Sequence, residues 1–203
     1  MAFLRAGLSQ DVPLIIRGDD VTLRPLVMTD YSEWAEIRTK SRDHLGPWEP
    51  AWPRDELSKT SFRRRIRHYQ REAREDLGYA FTIVDEADGS VSGGVTLSNV
   101  RRGVTQAASL GYWLSVDKTG VGLMSRSVKA LIPFSFEELR LHRIEAACMP
   151  DNLTSLRVLE RCGFRKEGLA RKYLKINGAW RDHVLFAMIV DDFNAGEWPG
   201  DAL

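Results

Sequence analysis

The stretch Asp117-Lys118-Thr119-Gly120-Val121-Gly122-Leu123-Met124-Ser125 lies between an apolar, strand-like run and a segment of helical periodicity. A phosphate needs several donors converging with little side-chain obstruction. A glycine turn leading into a helix N-terminus supplies both the donors and the positive end of a dipole. Gly120 and Gly122 meet that need. The same residues also suit a plain strand-to-helix turn in which glycine serves only its φ angle. Further on, Asn152-Leu153-Thr154-Ser155 opens a second helix that closes at Cys162-Gly163-Phe164. Helix capping alone accounts for Asn152. Ser155, three residues later, places a hydroxyl in the first helical turn, where it can face a cleft and give a proton to a departing thiolate. In this order the two motifs suggest a coenzyme cleft.

Upstream of the turn, residues 107–116 read as a strand, the third of an antiparallel meander whose first two strands, 79–84 and 91–98, flank an Asp88-Gly89 hairpin turn. Earlier still, 21–25 reads as a strand stopped by Pro25, and Thr29-Asp30 caps a helix with Tyr31, Trp34 and Ile37 on one face. Three prolines and a glycine in His44-Leu45-Gly46-Pro47-Trp48-Glu49-Pro50-Ala51-Trp52-Pro53 exclude regular structure there and stiffen the backbone. Residues 58–75 read as an amphipathic basic helix. Phe62, Ile66, Tyr69 and Ala73 recur at helical spacing, while Arg63, Arg64, Arg65, Arg67, Arg71 and Arg74 cover much of the remainder.

Downstream of the turn, 123–138 is helical, with Pro133 expected to bend or shorten it. A strand over 142–148 follows, then a helix over 153–162 with Leu156 and Leu159 inward and Gly163 as its stop. A hairpin of 173–176 and 180–190 around Asn177-Gly178 closes the chain. The pattern is α+β with a mixed sheet, without internal repeats.

The length of 203 residues suits one well-buried domain. Lys+Arg 29 against Asp+Glu 28 leaves a formal charge of +1, so the molecule as a whole is not an electrostatic nucleic-acid binder. The two cysteines, Cys148 and Cys162, form neither a disulfide framework nor a zinc motif, and intracellular residence fits best. The first eighteen residues, broken by Gly7, Gln10, Asp11 and Pro13, are too polar for a secretion signal or a membrane span and read as a short arm.

The glycine turn followed by the Asn152-to-Phe164 helix resembles the acetyl-CoA core of the GNAT N-acetyltransferases. Met149-Pro-Asp-Asn-Leu-Thr-Ser155, Cys162-Gly-Phe-Arg-Lys-Glu-Gly168 and Tyr173-Leu-Lys-Ile-Asn-Gly-Ala-Trp-Arg-Asp-His-Val-Leu185 are similar to the RimJ/RimL branch, the ribosomal-protein N-terminal acetyltransferases, and to its RimJ side in particular. Arg42-Asp-His-Leu-Gly-Pro-Trp48-Glu49-Pro50, Ser98-Asn-Val-Arg-Arg-Gly103 and Leu110-Gly-Tyr112 add to the likeness. The resemblance implies a mixed, mostly antiparallel sheet flanked by helices, with acetyl-CoA in a cleft where two strands splay. It also implies an arm at 1–17, an acetyltransferase domain at 18–193 and a tail at 194–203.

By the same resemblance, Leu114 to Val116 is the strand end that pairs with pantetheine. Thr119, Gly120, Val121, Gly122, Leu123, Met124 and Ser125 cradle the pyrophosphate, Asn152 touches the pantetheine arm, and Ser155 protonates the coenzyme sulfur. Four departures stand out. Thr119 replaces the usual Gln or Arg of the turn, and Met124 its closing small residue. Leu159 takes the place of a tyrosine that many members carry in the second helix, which favours the serine variant. Ser109 replaces a glutamate that some members place before the Gly-Tyr strand, so Glu49 becomes the candidate general base. An α-amine with a pKa near 8 is roughly one-tenth neutral at pH 7, against about one in 2,500 for lysine, so an N-terminal acceptor needs little help from a base.

Trp48 and Trp52 form a rigid wall for a peptide terminus or a packed loop cap, and Tyr112 lines the cleft or fills the sheet core. Asp182 and His183 are expected to be satisfied by hydrogen bonds rather than to act in catalysis. The arginines of 63–74 read either as a solvated face or as a contact for ribosomal RNA. The functional expectation is a cytoplasmic, metal-independent transfer of acetyl from acetyl-CoA to the N-terminal α-amine of a ribosomal protein. The alternatives are a small-molecule amine acceptor and a ribosome-associated assembly factor with a vestigial coenzyme site.

Overall fold

The described residues form eight strands: β1 (Ile16–Gly18), β2 (Val21–Arg24), β3 (Tyr79–Asp85), β4 (Val91–Arg101), β5 (Ala107–Leu114), β6 (Arg143–Cys148), β7 (Arg165–Ile176) and β8 (Ala179–Ile189). The structure, a computed structural model, describes residues 14–196. The strands form one sheet in the order β1-β2-β3-β4-β5-β6-β8-β7. Only β5 and β6 run parallel; every other neighbour is antiparallel. The helices are α1 (Tyr31–Lys40), α2 (Arg42–Leu45), α3 (Lys59–Arg74), α4 (Leu123–Pro133), α5 (Leu153–Arg161) and α6 (Val190–Asn194).

The main core lies between the sheet and α4, where Leu123, Val128, Leu131 and Ile132 meet Val21, Leu23, Ile83 and Val95. A smaller cluster of Trp34, Phe62 and Ile66 holds α1 against α3, with Trp113 of β5 beneath it. Successive strand residues face opposite sides of a sheet, so Tyr112 and Leu114 join the main core while Trp113 joins the smaller one. Gly94 makes room on β4 for the Trp113 indole: a Cβ there would sit 2.6 Å from its Nε1.

The sequence pattern and the structure part company at several places. Residues 16 and 17, read as arm, pair with β2, while residues 1–13 and 197–203, which hold the rest of the expected arm and most of the tail, lie outside the described residues. The proline-rich loop begins within α2 and contains a 3-10 turn at Gly46–Trp48, which Pro47 allows because near the start of a helical turn it has no N–H to lose. β4 runs on to Arg101, past its expected end at 98, and β7 begins at Arg165, eight residues before the expected start. β5 stops at Leu114. α4 ends at Pro133, whose missing N–H breaks the ladder, and the chain continues as a π turn over Phe134–Glu138. The Asp30 side chain does not cap α1; it accepts from both terminal nitrogens of Arg24 at 2.8 Å and from the Val27 N–H at 2.9 Å.

Candidate active site

The parallel ladder between β5 and β6 covers only Ala107 to Leu110 against Arg143 to Ala146. Beyond it β5 stays with β4 and β6 stays with β8. The backbone groups of β5 that face the gap therefore have no strand to bond. A cavity of about 190 Å³ fills this splay, lined by Trp48, Gly111, Tyr112, Cys148, Asn152 and Ser155 among others.

Past the end of β5 the chain enters the glycine turn, which does not itself line this cavity. Gly120 and Gly122 both adopt φ 80°, the left-handed conformation that glycine enters without strain. The first bond of α4 runs from the Arg126 N–H to the Gly122 carbonyl at 3.1 Å, so the N–H groups of Leu123, Met124 and Ser125 have no acceptor within the helix. Leu123 and Met124 point their side chains into the core, and what they offer is backbone alone. Val116 begins a 3-10 turn rather than ending the strand, and its N–H donates to Ser41 Oγ at 3.0 Å. Lys118 anchors the turn to the β3–β4 hairpin through Asp85 at 2.8 Å and Asp88 at 2.6 Å. Both carboxyls are held below their ordinary range by the hydrogen bond from that ammonium.

Asn152 caps α5, its Oδ1 accepting from the Ser155 N–H at 3.1 Å, and it also lines the cavity. The helix closes as expected, with Phe164 N–H to the Leu159 carbonyl and Gly163 N–H to the Glu160 carbonyl, each at 3.0 Å. Ser155 Oγ lies 2.8 Å from the Tyr112 hydroxyl. Burial raises the Tyr112 phenol well above its usual pKa, and the hydrogen bond to Ser155 offsets only part of that. Burial likewise raises Cys148, and pushes Cys162 up to about 12. His183 also borders this cavity, its Nδ1 3.0 Å from the Arg181 carbonyl, while Asp182 accepts from the Lys172 N–H at 2.8 Å.

A second cavity, of about 390 Å³, meets the first at Gly111 and Tyr112. α1, α3, the loop 49–56 and strands β3 to β5 enclose it. Its charged wall is a chain of four groups. Arg38, only 5% exposed, grips both oxygens of Glu49 at 2.7 Å and lies 3.9 Å from Glu56, which in turn binds Arg65. The Arg38 guanidinium stacks over Trp52 at 4.2 Å and Trp113 at 4.8 Å. Trp52 Nε1 donates to Glu49 at 2.6 Å. The loop is tied to the far end of the chain by the Asn177 N–H, which donates to the Glu49 carbonyl at 3.0 Å. Trp48 borders the splay and Trp52 the second cavity, so the two tryptophans serve different chambers.

A family described as Acetyltransferase (GNAT) domain matches residues 20–165. The chain is a GNAT acetyltransferase. It is 39% identical over 178 residues to a probable N-acetyltransferase, YjcK, of Bacillus subtilis, covering 88% of this chain and 98% of that protein. Over 191 residues it is 32% identical to the [ribosomal protein uS5]-alanine N-acetyltransferase of Escherichia coli, covering 94% and 98%. Among solved structures, Mycobacterium smegmatis RimJ in complex with CoA-disulfide superposes with a TM-score of 0.81 at 36% identity, covering 89% of this chain and 88% of that one.

As an acetyl-CoA-dependent N-acetyltransferase of this family, the GNAT enzyme needs donors for a diphosphate and a slot for an extended thiol arm. The N–H groups in the first turn of α4 and the gap beside β5 fit both. Among the described residues, no three His, Cys, Asp or Glu side chains cluster to hold a metal ion, and no helix is long and apolar enough to cross a membrane. Sequence reasoning missed Arg38, Glu56 and Trp113, and read Arg65 with the outer arginines of the basic helix rather than as part of this wall. Their only signal was an arginine where the face Tyr31, Trp34, Ile37 has its next turn, since Arg38 is buried and Ile37 is only partly so.

Proposed function

We propose that this GNAT acetyltransferase transfers acetyl to the N-terminal α-amine of a ribosomal protein, by direct attack within a ternary complex. The observation that carries the choice of amine is the state of the two carboxylates in the second cavity. Glu49 accepts from Arg38 and Trp52, and Glu56 is shared by Arg65 and Arg38. Neither is free to act as a strong base. The acceptor must then bring a partly neutral amine, as an α-amine does at pH 7 and a lysine does not. Glu49, the sequence candidate for the base, serves in this reading to fix Arg38 and Trp52 as the acceptor wall. The uS5-alanine acetyltransferase relative supports a ribosomal protein as the acceptor.

Bound acetyl-CoA supplies an activated acyl group with a thiolate leaving group. The turn 119–125 binds its phosphates through backbone N–H groups, and Leu114 and Asn152 border its arm. Ser155 donates the proton that the sulfur needs, and the Tyr112 hydroxyl, 2.8 Å from its Oγ and donating to the Ser155 carbonyl at 3.2 Å, orients it. Cys148 faces the same cavity, but burial holds its thiol protonated, so an acetyl-cysteine route is disfavoured. The enzyme would work in the cytoplasm, where ribosomal proteins are made.

Thiol release from acetyl-CoA, followed with N-terminal peptides of ribosomal proteins, N-blocked lysine peptides and polyamines, tests the assignment. Turnover is expected on free α-amines only. A preference for lysine side chains or polyamines would overturn it.

A further inference from the structure

Helix α3 carries seven basic residues and one acidic one, a formal +6, in a chain whose total is +1. The rest of the chain is therefore acidic on balance. The helix treats its arginines in two ways. Arg64 pairs with Asp55 and Arg65 with Glu56, both in the loop that precedes the helix. Arg63, Arg67, Arg71 and Arg74, spaced by four, four and three, form a separate stripe, turned away from the buried Phe62 and Ile66. All four are exposed. Among the described residues none of them makes an ion pair, and Arg71 meets only the His68 ring, at 3.3 Å. Glu72, which could have neutralised the stripe, reaches His68 at 3.4 Å instead.

An ordinary solvated helix face mixes signs at this spacing, because like charges four residues apart weaken a helix. Here the apolar side of α3 holds the stripe in place against its own repulsion. The same helix lines the acceptor cavity through Arg65 and Tyr69. We propose that the stripe binds the phosphate backbone of an RNA strand lying beside the acceptor, so that the enzyme recognises its protein substrate in the RNA-bound state. This rests on the α-amine, ribosomal-protein reading above. From Arg63 to Arg74 the helix rises about 16 Å, a length over which one nucleic-acid strand presents about five phosphates. Guanidinium forks suit that ligand better than ammonium groups do.

The test compares wild type with the fourfold variant Arg63→Gln, Arg67→Gln, Arg71→Gln, Arg74→Gln, none of which lines either cavity. Anisotropy of a labelled single-stranded RNA is titrated against each protein at several salt concentrations, with polyglutamate as the competing polyanion. Four phosphate contacts predict a log–log salt slope of about −3 for wild type, roughly a 50-fold loss of affinity between about 50 and 200 mM salt. The variant should lose most of that slope while its turnover on free α-amino peptides stays unchanged. Equal RNA binding by the two proteins, with peptide turnover intact, would sink the RNA proposal alone. Displacement of RNA by polyglutamate at lower concentration than by RNA itself would replace it with an acidic protein partner. Absence of α-amine turnover in both proteins would remove the reading on which it rests.

Discussion

The two chambers on either side of Gly111 and Tyr112 are built by different means. The proposed coenzyme cleft is made mostly of backbone: two left-handed glycines, the first turn of α4 and the unpaired edge of β5, with the Asn152 cap beside them. Each of these comes from a few consecutive residues. The proposed acceptor cavity is made of side chains from α1, the proline-rich loop, α3 and β5, joined by the Glu49–Arg38–Glu56–Arg65 chain. A phosphate is the same in every coenzyme molecule and can be met by a fixed backbone. An acceptor differs between enzymes of one fold, and side chains can change without disturbing the sheet.

The sharpest way to break the comparison is Arg38→Gln. It leaves Glu49 without its main partner in a largely buried site, and loss of one member of such a pair costs about 3 kcal/mol. Denaturant unfolding should show that loss. In the folded fraction the KM for the acceptor should rise while acetyl-CoA binding is retained. Ser155→Ala comes next: kcat is expected to fall about 100-fold, the scale of one general acid, with little change in either KM. Tyr112→Phe should give a smaller fall of the same kind. A Ser155→Ala enzyme of normal kcat would show that the sulfur leaves without help.

Gly122→Ala probes the backbone chamber alone. Holding a non-glycine residue at φ 80° costs about 1–2 kcal/mol, and the new Cβ would lie 3.3 Å from the Arg126 guanidinium. The expected result is a several-fold weaker coenzyme KM with the acceptor KM unchanged. The smallest effect concerns the anchor of the turn. Lys118 holds the Asp85 pKa below its unfolded value, so the pair stabilises the fold above about pH 3.9 and ceases to do so as pH falls through the lower folded value. Asp85→Asn should therefore lower Tm at pH 7, and calorimetry down the pH scale should show the gap closing below about pH 4.

The turns and helix ends that frame the two cavities were legible in the sequence. The Asn177-Gly178 turn has both residues at positive φ, 44° and 82°, as its sequence requires. Gly163 stops α5, and Asn152 is a cap. These are local consequences of chain chemistry. Three other features depended on distance in space. Tyr112 reads as a lining residue, yet its hydroxyl belongs to Ser155, forty-three positions on. Leu159 marks the absence of a tyrosine from the second helix; β5 brings a phenol to the first turn of that helix from another element. Glu49 reads as a base because it is a carboxylate in an aromatic loop, and nothing within the loop announces that Arg38 will take both its oxygens. Ion pairs between elements have no period, which is why a sequence pattern conceals them.

The bond from Asn177 to the Glu49 carbonyl fastens the loop 49–56 to the β7–β8 turn, so this contact can form only after the hairpin has been made. During synthesis the loop leaves the ribosome first and waits for nearly the whole sheet to follow, a delay on the order of ten seconds at 5–20 residues per second. Through that interval Trp48 and Trp52 have no finished chamber to line and are open to chaperones. The acceptor chamber is thus a late product of folding, complete only after the hairpin has closed over a loop made long before it.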